Sequence, residues 1–282
     1  MFKRKAVIVA TLLTFSWSAT AADLEVLFVG LPQAGPSVAL TQAYAQGLKT
    51  PHKFTPVKDC KSSLDVVANS DNVVYLIGNT STLGALRSGQ ECVPKLIPDD
   101  IIFTANNYFH FCHLPDSKKD LFKDRQTIAA ASVVPVSGFA KSLNKENNTK
   151  LVPLSMLSSN EVALSVINKD IDWGIIITSV ATPLITSGQL SCPYSTNPKE
   201  PNYIAKNLRM DYSNLSQLWI LSAKTKDPAL KQAAKSAVRS AEFNKFLEAG
   251  KFSDVKTENF TNKDIENFNK LIDQGMAIYD IK

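Results

Sequence analysis

Residues 152–190 read VPLSMLSSNEVALSVINKDIDWGIIITSVATPLITSGQL. The stretch opens on a strand, Leu151–Leu154, and passes into Ser159–Asn168, whose apolar spacing is that of a helix. It returns through the apolar run Asp172–Ile177 to Thr178-Ser179 and a second helix toward Ser187. Strand, helix, strand, helix at this pitch predicts a βαβ unit, and with it an α/β chain built on a parallel sheet.

The alternation extends outward in both directions. Upstream, Thr127–Ser132 predicts a strand, Val133-Val134-Pro135-Val136 a connection, and Ser137 the cap of a helix. In the N-terminal third, Val26–Gly30 is apolar without alternation, as a strand buried on both faces is. The loop Leu31-Pro32-Gln33-Ala34-Gly35-Pro36 follows, and Ser37 reads as the N-cap of a helix carrying Leu40, Tyr44 and Leu48 on one face. A weaker strand, Lys53–Val57, precedes a short helix capped by Ser62. Asn72–Ile77 is a further strand, closed by Gly78-Asn79-Thr80-Ser81 before a helix over Thr82–Arg87. Between the two series lies the extended apolar-aromatic segment Ile101–Phe111. After the second series come a polar stretch, Pro193–Asn214, a strand, Leu218–Ala223, and helical pattern over 228–250 and 261–279. Pro228 suits a first helical turn and Gly250 a C-cap.

Two similar α/β halves, with a C-terminal strand and helices left over, predict two lobes. The crossings between them fall near Asn106–Phe109 and Gln217–Trp219. One lobe takes residues 23–108 and 218–282, the other 109–217. Ligands of open α/β sheets sit at the carboxyl ends of the strands. Two such lobes face to face enclose a cleft that closes by a hinge.

The N-terminus predicts export. Lys3, Arg4 and Lys5 precede an apolar run, Ala6–Trp17, and a small, polar stretch ending at Ala22. That is the pattern of a cleaved signal peptide over residues 1–22. The run is shorter than the ~20 apolar residues of a membrane span, which weighs against an N-terminal anchor. The formal net charge is +5, and losing those three cations leaves about +2, with no basic stripe for nucleic acid. The remaining chain, about 260 residues, is long enough for one large or two small domains. The expected product is a soluble monomer outside the cytoplasm.

Cys60, Cys92, Cys112 and Cys192 are an even set in an exported chain and predict two disulfides, with three possible connectivities. If each bridge stays within one lobe, the pairs are Cys60–Cys92 and Cys112–Cys192. A metal site around His110-Phe111-Cys112-His113 is the alternative. In a strand, His110 and Cys112 share one face and His113 takes the other, so tetrahedral coordination lacks ligands there.

Four segments resemble the tripartite tricarboxylate transporter receptors, a group of periplasmic type 2 solute-binding proteins. VLFVGLPQAGPSVALTQAYAQGL (26–48) is similar to their opening strand, loop and first helix, and NVVYLIGNTST (72–82) to their strand and ligand loop after the second helix. The stretch 152–190 follows their order of strand, helix, short acidic turn with Asp172, strand, and a helix ending in Ser187-Gly188 before another strand. LWILSAKTKDPALKQAAKSAV (218–238) is similar to their return strand and the helix after it. The resemblance implies a two-lobed type 2 periplasmic-binding fold with a hinge of two crossing strands. It also implies a receptor whose closed form docks on membrane transporter subunits.

Strand-to-helix loops present free backbone N–H groups and a helix dipole, which favour a carboxylate or other small anion. The candidate ligand residues are therefore Pro32, Gln33, Ala34, Gly35 and Ser37 in the first loop, and Gly78, Asn79, Thr80 and Ser81 in the second. Ser132, Val133, Ser137 and Gly138 form the third, Thr178 and Ser179 a fourth, with Asp172 at the start of its strand. Ordinary turn and capping chemistry is the plain alternative for each loop. Asp172 has the same alternative as a turn residue. Trp173 and Trp219 read as core or hinge packing, and Arg87 as a cation suited to a helix C-terminus.

No G-x-S-x-G elbow or H-E-x-x-H appears, and His52, His110 and His113 are the three histidines. The reading is a receptor for a small organic anion, without catalytic residues, cofactor or metal. An enzyme on the same scaffold, and a periplasmic sensor or interaction protein, are the alternatives.

Overall fold

Strand β1 (Leu24–Val29) enters the sheet as the apolar run predicts, and it opens the described part of a computed structural model. The described residues are 23–29, 35–90, 92–123, 125–131, 136–204 and 216–279. Helix α1 (Gly35–Gly47) follows, then β2 (His52–Val57), α2 (Cys60–Asn69), β3 (Val73–Gly78) and α3 (Asn79–Arg87). A 3₁₀ turn, Pro98–Asp100, leads into the long strand β4 (Ile101–His113). The second series is β5 (Arg125–Ala131), α4 (Val136–Asn147), β6 (Lys150–Met156), α5 (Ser159–Ile167), β7 (Trp173–Ile177) and α6 (Thr178–Thr186). Then come β8 (Ser191–Ser195), β9 (Ser216–Lys224), α7 (Pro228–Ala237), α8 (Ala241–Ala249), β10 (Ser253–Lys256) and α9 (Asn262–Tyr279).

The described strands form one open sheet in the order β2-β1-β3-β9-β4-β7-β5-β6, with β8 and β10 also on β4. Pairs β1–β2, β1–β3, β5–β6 and β5–β7 are parallel. Strand β4 is the seam. It pairs antiparallel with β9 as far as Tyr108, opposite Ser216, and with β7 from Phe109, opposite Ile177. The result is the predicted α/β architecture, two parallel half-sheets joined through β4 and β9.

The core explains the pattern. Leu40 and Tyr44 of α1 are fully buried, and Leu48 just beyond it nearly so. Phe103 meets Phe243 of α8 edge-on at 5.0 Å, and Phe111 lies 5.1 Å from Phe139 of α4. Those residues, with Trp173 and Trp219, belong to one continuous apolar cluster that runs across the seam. Each such side chain contributes roughly 1.5–3 kcal/mol of burial. Both tryptophans are packing residues, as expected; the Trp173 indole N–H donates to Gln126 Oε1 inside the second half-sheet.

Several local expectations are corrected. Ser62 does not cap α2. Asp59 does, its carboxylate accepting from the Ser62 N–H at 2.8 Å and the Ser62 hydroxyl at 2.7 Å. Ser37 and Ser137 lie inside α1 and α4 rather than at their caps, because the helices start at Gly35 and Val136. Pro36 in the first turn of α1 is pre-organised for that earlier start. The helical pattern over 228–250 breaks at Ser240, whose side chain accepts from Phe243 N–H and opens α8. Strand β8 is the strand that the resemblance implied after Ser187-Gly188, and β10 was not expected. Both are short edge segments on β4.

The bridges are Cys60–Cys92 and Cys112–Cys192. Cys112 is thereby removed from any metal set, and the imidazole of His113 is engaged otherwise. Its Nδ1 lies 2.6 Å from Leu114 O and its ring 4.5 Å from that of Trp173.

Candidate functional site

Helix α3 begins directly at the end of β3, with no loop between Gly78 and Asn79, and α6 begins directly after Ile177 of β7. The residues expected as loops, Gly78–Ser81 and Thr178-Ser179, are thus a strand end and the first turns of two helices. Both junctions lie at the carboxyl ends of their strands. Trp219 is opposite Gly78 and Phe109 is opposite Ile177, on the two seam strands.

These two helices differ from the others in how they start. N-cap geometry is described for six α-helices. In α2, α5, α7 and α8 the side chains of Asp59, Ser158, Asp227 and Ser240 accept first-turn N–H groups. In α3 and α6 the N-caps are Gly78 and Ile177, and no side chain caps either. Neither carries an acidic residue in its first turn. An uncapped N-terminus with its dipole favours an incoming anion.

The side chains of the second loop face the seam. Asn79 is 1% exposed. Its Nδ2 donates to Ser216 O and its Oδ1 accepts from Leu218 N–H, both at 2.9 Å. Thr80 donates to Gln217 Oε1. Gly78 leaves space for that contact, since a Cβ there would collide with Gln217 Nε2 and touch the Trp219 ring at 3.2 Å. Asn79 and Thr80 therefore hold β9 with their side chains, and what they offer outward is backbone. Thr178 is buried and donates to Tyr108 O at 2.9 Å, tying α6 to the seam. Ser179 Oγ is buried without a partner among the described residues.

Gly35 opens α1, Ser37 sits half-buried in its first turn, and Ser137 and Gly138 occupy the first turn of α4. Pro32, Gln33, Ala34, Ser132 and Val133 lie outside the described residues. Asp172 stands at the opposite end of β7 from the α6 junction. Its Oδ2 accepts from the Thr127 N–H at 2.8 Å and hydroxyl at 2.9 Å, and Lys119 pairs with Oδ1. Burial raises that carboxyl, but the Lys119 and Thr127 contacts together outweigh it and hold it below the usual range. In this arrangement Asp172 staples β5 to β7.

Two adjoining cavities separate α6 from the end of α8. The larger, about 570 Å³, lies between Ser179, Pro183 and Ser187 on one side and Phe246, Ala249 and Gly250 on the other. The smaller, about 380 Å³, is lined by His110, Thr178, Asn197, Glu200, Lys251 and Phe252 among others. Both include Thr182 and Thr186. Burial depresses the His110 imidazole, with Glu200 pulling weakly the other way, and its Nδ1 has no partner among the described residues. Beside the cavities Lys199 pairs with Asp254 at 2.6 Å, and Asn106 and Tyr108 donate to the same carboxylate at 3.2 and 3.4 Å. Lys199 holds the Asp254 carboxyl below its ordinary range, with burial opposing.

The residues that sequence reasoning missed are polar members of the seam strands: Asn106, Asn107, His110 and Gln217. Their signal was present, as polar side chains inside otherwise apolar strand runs. Of the eight buried side-chain atoms without partners among the described residues, seven belong to the seam strands or the α6 start: those of Asn106, Asn107, His110, Ser179, Gln217, Trp219 and Ser222.

A two-lobed α/β scaffold with an interlobe groove and uncapped helix starts at its seam has the fold of periplasmic solute-binding proteins. Three solved structures share it across nearly their whole length. MatC from Rhodopseudomonas palustris with bound malate is 11% identical, with a TM-score of 0.63, over 91% of this chain and 98% of that one. Rpa4515, from the same organism, with adipate, is 10% identical at a TM-score of 0.66, over 92% and 97%. A TctC solute-binding protein from Polaromonas is 15% identical at 0.58, over 93% and 98%. No family model matches the chain, and no curated protein matches it in sequence.

Proposed function

We propose that this chain is a periplasmic receptor that captures a small carboxylate between its two half-sheets and presents it to a membrane transporter. The observation that carries the reading is the pair of uncapped helix starts, α3 and α6, at strand ends on either side of the seam. A carboxylate between them takes the place that Asp59, Ser158, Asp227 and Ser240 take at α2, α5, α7 and α8. Structures of the same fold hold malate and adipate, which supports the ligand class. In this reading the lobes are residues 23–108 with 218–282, and residues 109–217, and they move about the point where β4 changes partner. Gly35, Ser37, Gly78–Ser81, Ser137, Gly138, Thr178 and Ser179 contribute chiefly backbone, together with Pro32–Ala34, Ser132 and Val133. The receptor works as a monomer, after residues 1–22 are removed on export.

A thermal-shift screen of the mature chain over malate, succinate, adipate and citrate tests the proposal, followed by calorimetry. A ligand at one hundred times its Kd stabilises the folded state by about 2.7 kcal/mol, a shift that is readily seen. Stabilisation by sugars or cations alone, or turnover of a bound carboxylate, overturns the reading.

A further inference from the structure

The seam strands carry three amides that are each held at one end only, Asn106, Asn107 and Gln217, and the last two are directly opposed. Gln217 is 3% exposed, and Thr80 donates to its Oε1, which turns Nε2 the other way. That Nε2 is buried and has no partner among the described residues. Asn107 is fully buried, and its Nδ2 donates to Gly250 O at 3.4 Å, which leaves Oδ1 without a partner in the same sense. The two residues are opposite each other in register, Asn107 on β4 and Gln217 on β9. Directly opposed residues project to the same face of a sheet. One face of the seam thus holds an oriented donor beside an oriented acceptor.

Buried amide groups are nearly always satisfied, and one left unmade is a standing penalty. Here Gly250 O, which can only accept, fixes the orientation of Asn107, Thr80 meets Gln217 at Oε1, and Gly78 clears the space that Gln217 occupies. We infer that Gln217 and Asn107 read the ligand of the groove: Gln217 Nε2 donates to a carboxylate oxygen, and Asn107 Oδ1 accepts from a neighbouring hydroxyl. The ligand class is then a small hydroxycarboxylate, an inference that rests on the carboxylate-receptor reading above. Both atoms are sealed in this conformation, so access comes with separation of the two half-sheets at Tyr108 and Phe109.

Malate and succinate differ by one hydroxyl, which makes them the probes. Calorimetry on the mature chain should give malate a Kd at least tenfold lower than succinate. Gln217→Glu, which keeps the volume and the Thr80 contact but replaces the donor, should weaken both by about 10- to 100-fold, the range for a hydrogen bond to a charged group. Asn107→Leu should bring malate down to the level of succinate. The double variant Thr80→Val/Gln217→Leu removes the lock and the amide together. It should lose malate binding while its urea midpoint without ligand stays at or above that of the parent.

Equal affinity for malate and succinate in the parent chain overturns the inference and leaves the receptor reading standing. So does parent-like binding by Gln217→Glu, or binding of adipate alone. A urea midpoint that falls in the double variant assigns Gln217 to structure instead. If none of malate, succinate, adipate or citrate binds the parent, the receptor reading fails, and this inference fails with it.

Discussion

Asn79 offers the sharpest test of how the seam is held. Its carboxamide is almost wholly buried and clamps β9 by two main-chain bonds of 2.9 Å, one donated to Ser216 O and one accepted from Leu218 N–H. Replacing it with alanine leaves a carbonyl and an N–H unpaired in the interior. Each orphaned group costs about 1–3 kcal/mol, so Asn79→Ala is expected to lose about 2–6 kcal/mol, with partial access of water favouring the lower half. Asn79→Asp separates the two bonds. An ionised carboxylate still accepts from Leu218 N–H but faces Ser216 O with no proton to give. The fold therefore raises the pKa of the new carboxyl. Above that raised pKa the folded state carries the full penalty. As pH falls through it, the acid gains a proton, can donate to Ser216 O, and the penalty shrinks. Urea unfolding at pH 7 and pH 4.5 measures both effects. Asn79→Asp should be the less stable variant at pH 7, and the gap to the parent should narrow at pH 4.5. A loss below 0.5 kcal/mol for Asn79→Ala, or a gap for Asn79→Asp that does not change with pH, refutes the clamp.

Other expectations follow from single features. His110 is kept neutral by burial, so its folded pKa lies below the ordinary value of about 6.5. The unfolded chain takes up its proton first, and stability should fall as pH drops from about 6.5 toward the folded value; His110→Gln should flatten that part of a urea-midpoint profile. Lys251 sits at φ +51° in the position after α8 that glycine usually takes, where its N–H bonds Glu248 O and the next N–H bonds Leu247 O. Lys251→Gly should raise stability by about 1 kcal/mol, read as a higher urea midpoint. The bridges close separations of 32 and 80 residues, so reducing either should cost about 4 kcal/mol in the chain-entropy model, measured as the difference between oxidised and reduced unfolding.

Which parts of this were legible follows from how the elements are stabilised. Strands β1, β3 and β7 announce themselves because burial on both faces favours continuous apolar runs, and β4 and β9 because apolar residues still dominate theirs around a few polar ones. The bridge pairing was legible once the chain was divided into two lobes. Strand β8 carries Pro193, and β10 is four residues with three of them polar or charged. Each exists only because β4 offers a free edge, which no local pattern reveals. The start of α3 was placed three residues late because Asn79 and Thr80 look like turn residues. Their polar side chains are spent on β9, a contact 137 residues away. Gln217 and Asn107 went unread for the same reason. Which end of an amide is satisfied is decided by partners distant in the chain.

Strand β9 lies between β3 and β4, yet it is made more than a hundred residues after both. Until Lys224 has been synthesised, β3 has no partner on that side and the first half-sheet cannot close onto β4. The later half-sheet, β5 to β7, has all of its parallel pairings within 125–177. During synthesis the part of the chain made first is therefore the part completed last. Folding of that half waits on the C-terminal quarter, which gives the nascent chain a long interval as an unfolded polymer with long-range contacts still to be made.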